Sequence, residues 1–236
     1  MALIFSPLTE DVLEGPCQPI PKGVFAMLQL DEGVSQLEVE MDKVVESVLV
    51  QRKFKPIRAA SERGQKDYLV KIIQLIRGCG FGTAVFSEYT PAPTLANIFF
   101  EVALCNLLGK PVIIVKSEAA KSPSDFIRTE WVTYAGNKKA QLRRDFSESV
   151  SSVLNLAKYY ETLGDLAIDA EDIDLELAFE RYRQSFLIDG RARARRKITK
   201  LRDRARDKSD GAARMGPARS RIRIAISEFS TFLKNT

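Results

Sequence analysis

The chain has 236 residues, 45% of them hydrophobic and 28% charged. That is ordinary globular composition, with length for one medium domain and an appendage. It contains no histidine, which excludes Ser–His and Cys–His catalysis and leaves carboxylates, hydroxyls, Lys, Arg and backbone groups. The net charge of +5 hides an asymmetry: residues 191–236 carry 15 Lys and Arg against 4 Asp and Glu, leaving 21 against 27 in the rest. Cys17, Cys79 and Cys105 are odd in number and widely spaced, so neither a disulfide framework nor a metal site is expected. No apolar run nears the roughly 20 residues that span a bilayer. The first residues lack the basic start and long apolar core of a signal peptide. The expectation is a cytoplasmic protein with no membrane partner.

Residues 1–22 hold four prolines and little periodicity, and read as an irregular arm. Residues 23–30 form a short apolar run, a candidate buried strand that includes Phe25 and Met27. Residues 35–50 place Leu37, Met41, Val44, Val45, Val48 and Leu49 at helical spacing. Residues 55–60 are a second strand ending near Arg58, and 67–77 a second helix. Residues 80–87 are a third strand, followed by a proline turn over 90–93. A helix follows over 94–108, with Gly109 at its C-terminal cap. Residues 111–116 are a continuous β-branched strand, and 130–134 a fifth.

Unbroken apolar strands alternating with helices predict an α/β fold with a parallel five-stranded sheet covered on both faces. Ligands in such sheets bind beyond the carboxyl ends of the strands. Those ends bring Met27, Arg58, Ser87, Glu88, Tyr89, Thr94 and Asp125 to one rim. The alternative for Arg58 is a solvated charge; for Ser87, Tyr89 and Asp125 it is turn chemistry.

The helix over 94–108 is apolar nearly all the way round, which predicts burial. Its one charged residue is Glu101. A carboxylate on a buried helix is costly unless paired, hydrogen-bonded or protonated, and such groups cluster where chemistry is done. Asn97 lies one turn earlier on the same face. The alternatives are a structural ion pair for Glu101 and a capping hydrogen bond for Asn97.

The stretch from Asn97 through Glu101 and Ala103 to Gly109-Lys110-Pro111-Val112-Ile113 resembles the nucleoside 2-deoxyribosyltransferase-like group, which is related to Toll/interleukin-1-receptor (TIR) domains. The first strand and the segment from Ser124-Asp125-Phe126 to Tyr134 are similar to that group's opening and closing segments. The resemblance covers about residues 23–145. It implies a flavodoxin-like nucleotide domain with Glu101 at the anomeric carbon of a ribose and Asn97 beside it. It also implies substrate contacts from Phe25, Met27, Arg58, Ser87, Glu88, Tyr89, Thr94 and Asp125. NAD or a related nucleotide would be the substrate, and no resident cofactor or metal is implied. A carboxylate there stabilises or traps an oxocarbenium-like sugar. Nicotinamide leaves as a neutral base, so no general acid is needed. No Gly-rich phosphate fingerprint is present.

From residue 146 only helical patterns remain. Leu163-Gly164, Ala178, Tyr182 and the 186–190 exit resemble a single tetratricopeptide hairpin, and the alternative is a generic helical hairpin. Residues 191–206 form an arginine-rich helix with Ala194, Ile198, Leu201 and Ala205 as its apolar stripe. Residues 209–217 read as a loop and 219–234 as an amphipathic helix. The basic tail suits a solvated surface, then a self-association or protein-partner helix, and last a nucleic-acid contact, since it lacks aromatics for base stacking. Three functions follow: NAD-type glycohydrolysis by a TIR-like defence effector, a non-catalytic nucleotide sensor, and a deoxyribosyltransferase of nucleotide salvage.

Overall fold

Five short strands pair in parallel throughout, and the central ones are apolar on both faces. A computed structural model describes residues 18–29, 33–59, 68–121, 130–169, 174–211, 226–227 and 229–236. The strands are β1 (Gly23–Met27), β2 (Lys55–Ile57), β3 (Phe81–Phe86), β4 (Val112–Ser117) and β5 (Glu130–Tyr134), in the order β2-β1-β3-β4-β5. Residues 112–115 and 81–86 are buried on both faces, as strands flanked by helices on two sides must be.

The connections are α1 (Gln36–Gln51), α2 (Tyr68–Gly78) and α3 (Ala92–Leu107). α1 buries Met41, Val44, Val45, Val48 and Leu49, the expected amphipathic stripe. Phe25 pairs in register with Gly82 of β3, and Met27 with Ala84. A Cβ on Gly82 would meet Met27 Cε at 2.7 Å and Cys105 Sγ at 3.3 Å. Glycine there lets α3 settle closely on the sheet. Gly109 follows α3 with φ +67°, the left-handed step that ends helices.

Several boundaries differ from those expected: β1 ends at Met27 rather than residue 30, β2 ends at Ile57 rather than residue 60, and α3 starts at Ala92, inside the expected proline turn. α4 runs Lys139–Asp169, so the helical region starts before residue 145. The chain divides between Leu154 and Asn155, inside α4, because the first part of that helix packs with the sheet unit. α6 (Ala192–Gly211) passes through residues 209–211, where a loop was expected; residues 212–217 lie outside the described residues.

The unit of Lys22–Leu154 has the sheet as its core. The other unit is helical. In it α5 (Leu175–Asp189) lies against α6 and the C-terminal part of α4, burying Ala167, Ala178, Phe179, Tyr182, Phe186, Ala194, Ile198, Leu201, Ala205, Phe229 and Phe232 together. Asp174 caps α5 by accepting from the Leu177 N–H at 2.9 Å, and Gly190 closes it at φ 68°. Of the helix expected over 219–234, residues 226–227 and 229–234 are described and helical.

Candidate functional site

In a sheet of this order the strands adjoining the switch point are β1 and β3, whose connections leave in opposite directions and open a crevice at their carboxyl ends. A buried polar cluster occupies that rim. Ser35 is the N-cap of α1, and with Glu38 it forms a reciprocal capping box. The Ser35 backbone N–H and hydroxyl donate to Glu38 Oε2 at 3.0 and 2.8 Å, and the Glu38 N–H donates to Ser35 Oγ at 3.2 Å. From the β3 side, the Thr90 hydroxyl donates to Glu38 Oε1. Ser87 holds that threonine: its N–H donates to Thr90 Oγ1 at 2.9 Å, while its own hydroxyl oxygen accepts the Tyr89 N–H at 3.1 Å. The Ser35 and Ser87 hydroxyls are 3.5 Å apart.

Glu38 is only 4% exposed. Burial pushes its carboxyl up, but hydrogen bonds from Thr90, Ser35 and Ser87 together outweigh that and hold it below the usual carboxylate range. The rim therefore contains a buried, ionised carboxylate that the sequence reading passed over. The signal was available in the Ser-x-x-Glu spacing at a helix start. Glu88, next along, is exposed and accepts from the Ser117 hydroxyl at the end of β4.

α3 leaves this rim. Its N-cap is Pro91, with no side-chain hydrogen bond to its first turn, so its leading N–H groups are free of a side-chain cap. Thr94, Asn97 and Glu101 follow at helical spacing along one flank. Thr94 and Glu101 are half-buried and Asn97 is exposed. Burial alone raises the Glu101 carboxyl to about 7. No hydrogen bond or ion pair holds it among the described residues, so the structural ion pair weighed above is not found there. At 1.5 Å per residue Glu101 sits roughly 13 Å along the helix from its start.

The remaining expected contacts divide. Phe25 and Met27 are wholly buried core residues, packed on the α3 side of the sheet and spent on its cohesion. Arg58 pairs with Asp42 at 2.8 Å and Glu46 at 3.3 Å on α1, which anchors the end of β2 to that helix. Ser87 and Tyr89 belong to the rim turn, Tyr89 being 65% exposed. Asp125 lies outside the described residues. α3 itself departs from expectation: it buries Ile98, Val102 and Cys105 only, and its outer face is open. Trp131, half-buried, packs edge-on against Phe86 at 6.4 Å.

Much of the basic tail's charge is used internally. Arg193 and Lys197 pair with Glu161 at 2.6 and 2.8 Å, and Lys197 reaches Asp165 at 2.6 Å. Arg196, Lys200 and Arg204 remain on the exposed face of α6. No helix among the described residues is long and apolar enough to cross a membrane.

The fold and rim define a parallel α/β protein of flavodoxin-like strand order with a helical C-terminal unit. In comparison with known proteins, no family model, no curated protein and no solved structure matches the chain.

Proposed function

We propose that the sheet unit binds a nucleotide at the β1/β3 rim and cleaves its N-glycosidic bond, NAD or a related nucleotide being the substrate and Glu101 the carboxylate at the ribose. In this reading the chain is a TIR-like or deoxyribosyltransferase-like effector of defence signalling, and its helical unit serves assembly or sensing. The observation that carries it is Glu101 itself: a desolvated carboxylate without a partner among the described residues, on the helix that leaves the rim, with Thr94 and Asn97 on its flank. Such a group is costly to the fold and is relieved by a positive charge beside it.

The chemistry follows from that cost. As the bond from the ribose anomeric carbon to the nicotinamide nitrogen breaks, its electron pair goes to the ring, which leaves neutral. Positive charge appears on the sugar. Glu101, ionised, stabilises that charge in a poorly solvated setting where the attraction is strong. Water then adds to the anomeric carbon and loses a proton, giving the ribosyl product. The carboxylate must be ionised, so kcat/KM is expected to rise with pH through about 7. Nicotinamide release from NAD, followed by chromatography for the wild type and Glu101→Gln, tests the assignment. Release that survives the substitution removes Glu101 from the reaction, and base exchange between deoxynucleosides instead indicates the salvage reaction.

A second reading, nucleotide binding without cleavage, draws on a different observation. The polar groups at the switch point are Ser35, Glu38, Ser87 and Thr90, and Glu101 lies roughly 13 Å down α3 from its rim end. Nucleotide binding with no release of base, in wild type and Glu101→Gln alike, selects it.

A further inference from the structure

α3 carries a second apolar stripe, opposite the one that meets the sheet. Ala96, Phe100, Ala103 and Leu107 recur at spacings of four, three and four, which is the seam of a coiled coil. Phe100 is 53% exposed and Leu107 83%, Ala96 is exposed, and Ala103 is half-buried. Single exposed apolar residues are ordinary, but four in register along one helix form a continuous surface.

We propose that this seam pairs with the same helix of a second copy of the chain, antiparallel, about a two-fold axis passing between Phe100 and Ala103. The order of sizes along the seam selects this partner and this direction. Read forwards it is small, large, small, large. Read backwards, as an antiparallel copy presents it, it is large, small, large, small. Ala96 then faces the partner's Leu107, and Phe100 faces the partner's Ala103, with both contacts repeated by symmetry. Every large side chain meets an alanine, the alternation that fills an interface without voids. Parallel pairing sets Phe100 on the partner's Phe100 and alanine on alanine, which crowds one layer and empties the next.

Charge agrees. The positions flanking the seam are Asn97, Phe99, Leu104 and Asn106, all uncharged, so two chains of net charge +5 meet there without opposing like charges. Glu101 lies off the seam, beside the face that meets the sheet. A 16-residue helix is about 24 Å long, so one helix pair is smaller than a standard interface and a weak dimer is expected.

Sedimentation equilibrium of the full chain over about 1–200 μM tests this. The expected result is a mass rising from 26.5 kDa towards twice that value. Leu107→Glu and Ala96→Lys, each at an exposed site, should each weaken association about tenfold or more with an unchanged circular dichroism spectrum. The double variant Ala96→Lys/Leu107→Glu should recover most of the loss, because each new lysine faces the partner's new glutamate and the pair occurs twice per dimer. Ala96→Glu/Leu107→Glu should stay monomeric. A monomer at every concentration, association indifferent to Leu107→Glu, or a Lys/Glu double variant no tighter than the single ones overturns the proposal.

Discussion

Glu101 is the side chain whose cost to the fold can be read from its titration. Burial keeps its carboxyl at about 7 in the folded state, against 4.5 ordinarily. Between those values the folded chain holds a proton that the unfolded chain has released. Stability therefore falls as pH rises from about 4.5 to about 7, and no further loss from this group follows above that. With its half-buried setting discounted, the loss is about 1–3 kcal/mol. Glu101→Gln removes the ionisation, so the variant should be more stable than wild type by that amount near pH 8.5 and indistinguishable from it near pH 4.5. Urea denaturation of both proteins at the two pH values measures it. Equal stabilities at the higher pH mean that the carboxylate is satisfied, and the argument from desolvation fails. A substitution that stabilises the fold while abolishing nicotinamide release is what a group retained for chemistry produces.

α1 shows the opposite case, a buried carboxylate that the fold uses. Glu38 closes the capping box with Ser35 and accepts from Thr90 of the β3 rim, so it joins two connections of the sheet. Its carboxyl is held low; its contribution is present above the ordinary 4.5 and is lost as pH falls below it. Glu38→Ala leaves the Thr90 hydroxyl and the Ser35 N–H without that acceptor, at a cost of about 1–3 kcal/mol. Thermal melts near neutral pH read this, and a variant melting with wild type would show that water replaces the carboxylate. Sequence periodicity separates such elements well and their chemistry poorly. The strands over 81–86 and 112–117 are legible because burial on both faces leaves them mostly apolar, with Val112 to Val115 unbroken. Met41 to Leu49 is legible because one face must be apolar. Glu38 is not, since it sits among Glu40, Asp42 and Glu46 in a helix whose acids look alike until the β3 turn arrives beside one of them. α3 misleads for a related reason: apolar residues all round predict burial on all sides, and nothing local tells which face meets the sheet and which stays open. Phe25 and Met27 read as rim residues because a strand's carboxyl end is near a ligand in such folds, but the alternation of side chains turned both into the core.

At the scale of the whole molecule, the described residues form a sheet unit and a helical unit, and α4 contributes to both. The sheet unit holds the sole tryptophan, Trp131, on β5. The helical unit is locked where α4 meets α5: a Cβ on Gly164 would lie 2.5 to 3.0 Å from the ring of Tyr182. That ring cannot step aside freely, since its hydroxyl donates to Asp165 at 2.7 Å and Lys197 Nζ lies 5.2 Å from its centre. In an open helix Gly→Ala gains about 1 kcal/mol; here the overlap dominates, and Gly164→Ala should cost the helical unit about 1–3 kcal/mol. Two probes then report on two cores. Trp131 fluorescence follows the sheet, and far-ultraviolet circular dichroism follows the helices of both units. In urea the variant should show its dichroism loss beginning at lower denaturant while the fluorescence midpoint stays at the wild-type value, as expected when a chain has more than one cooperative unit. A fluorescence midpoint that moves together with the dichroism would mean that α4 transmits the strain from residue 164 to its sheet-bound half, and that the two cores unfold as one.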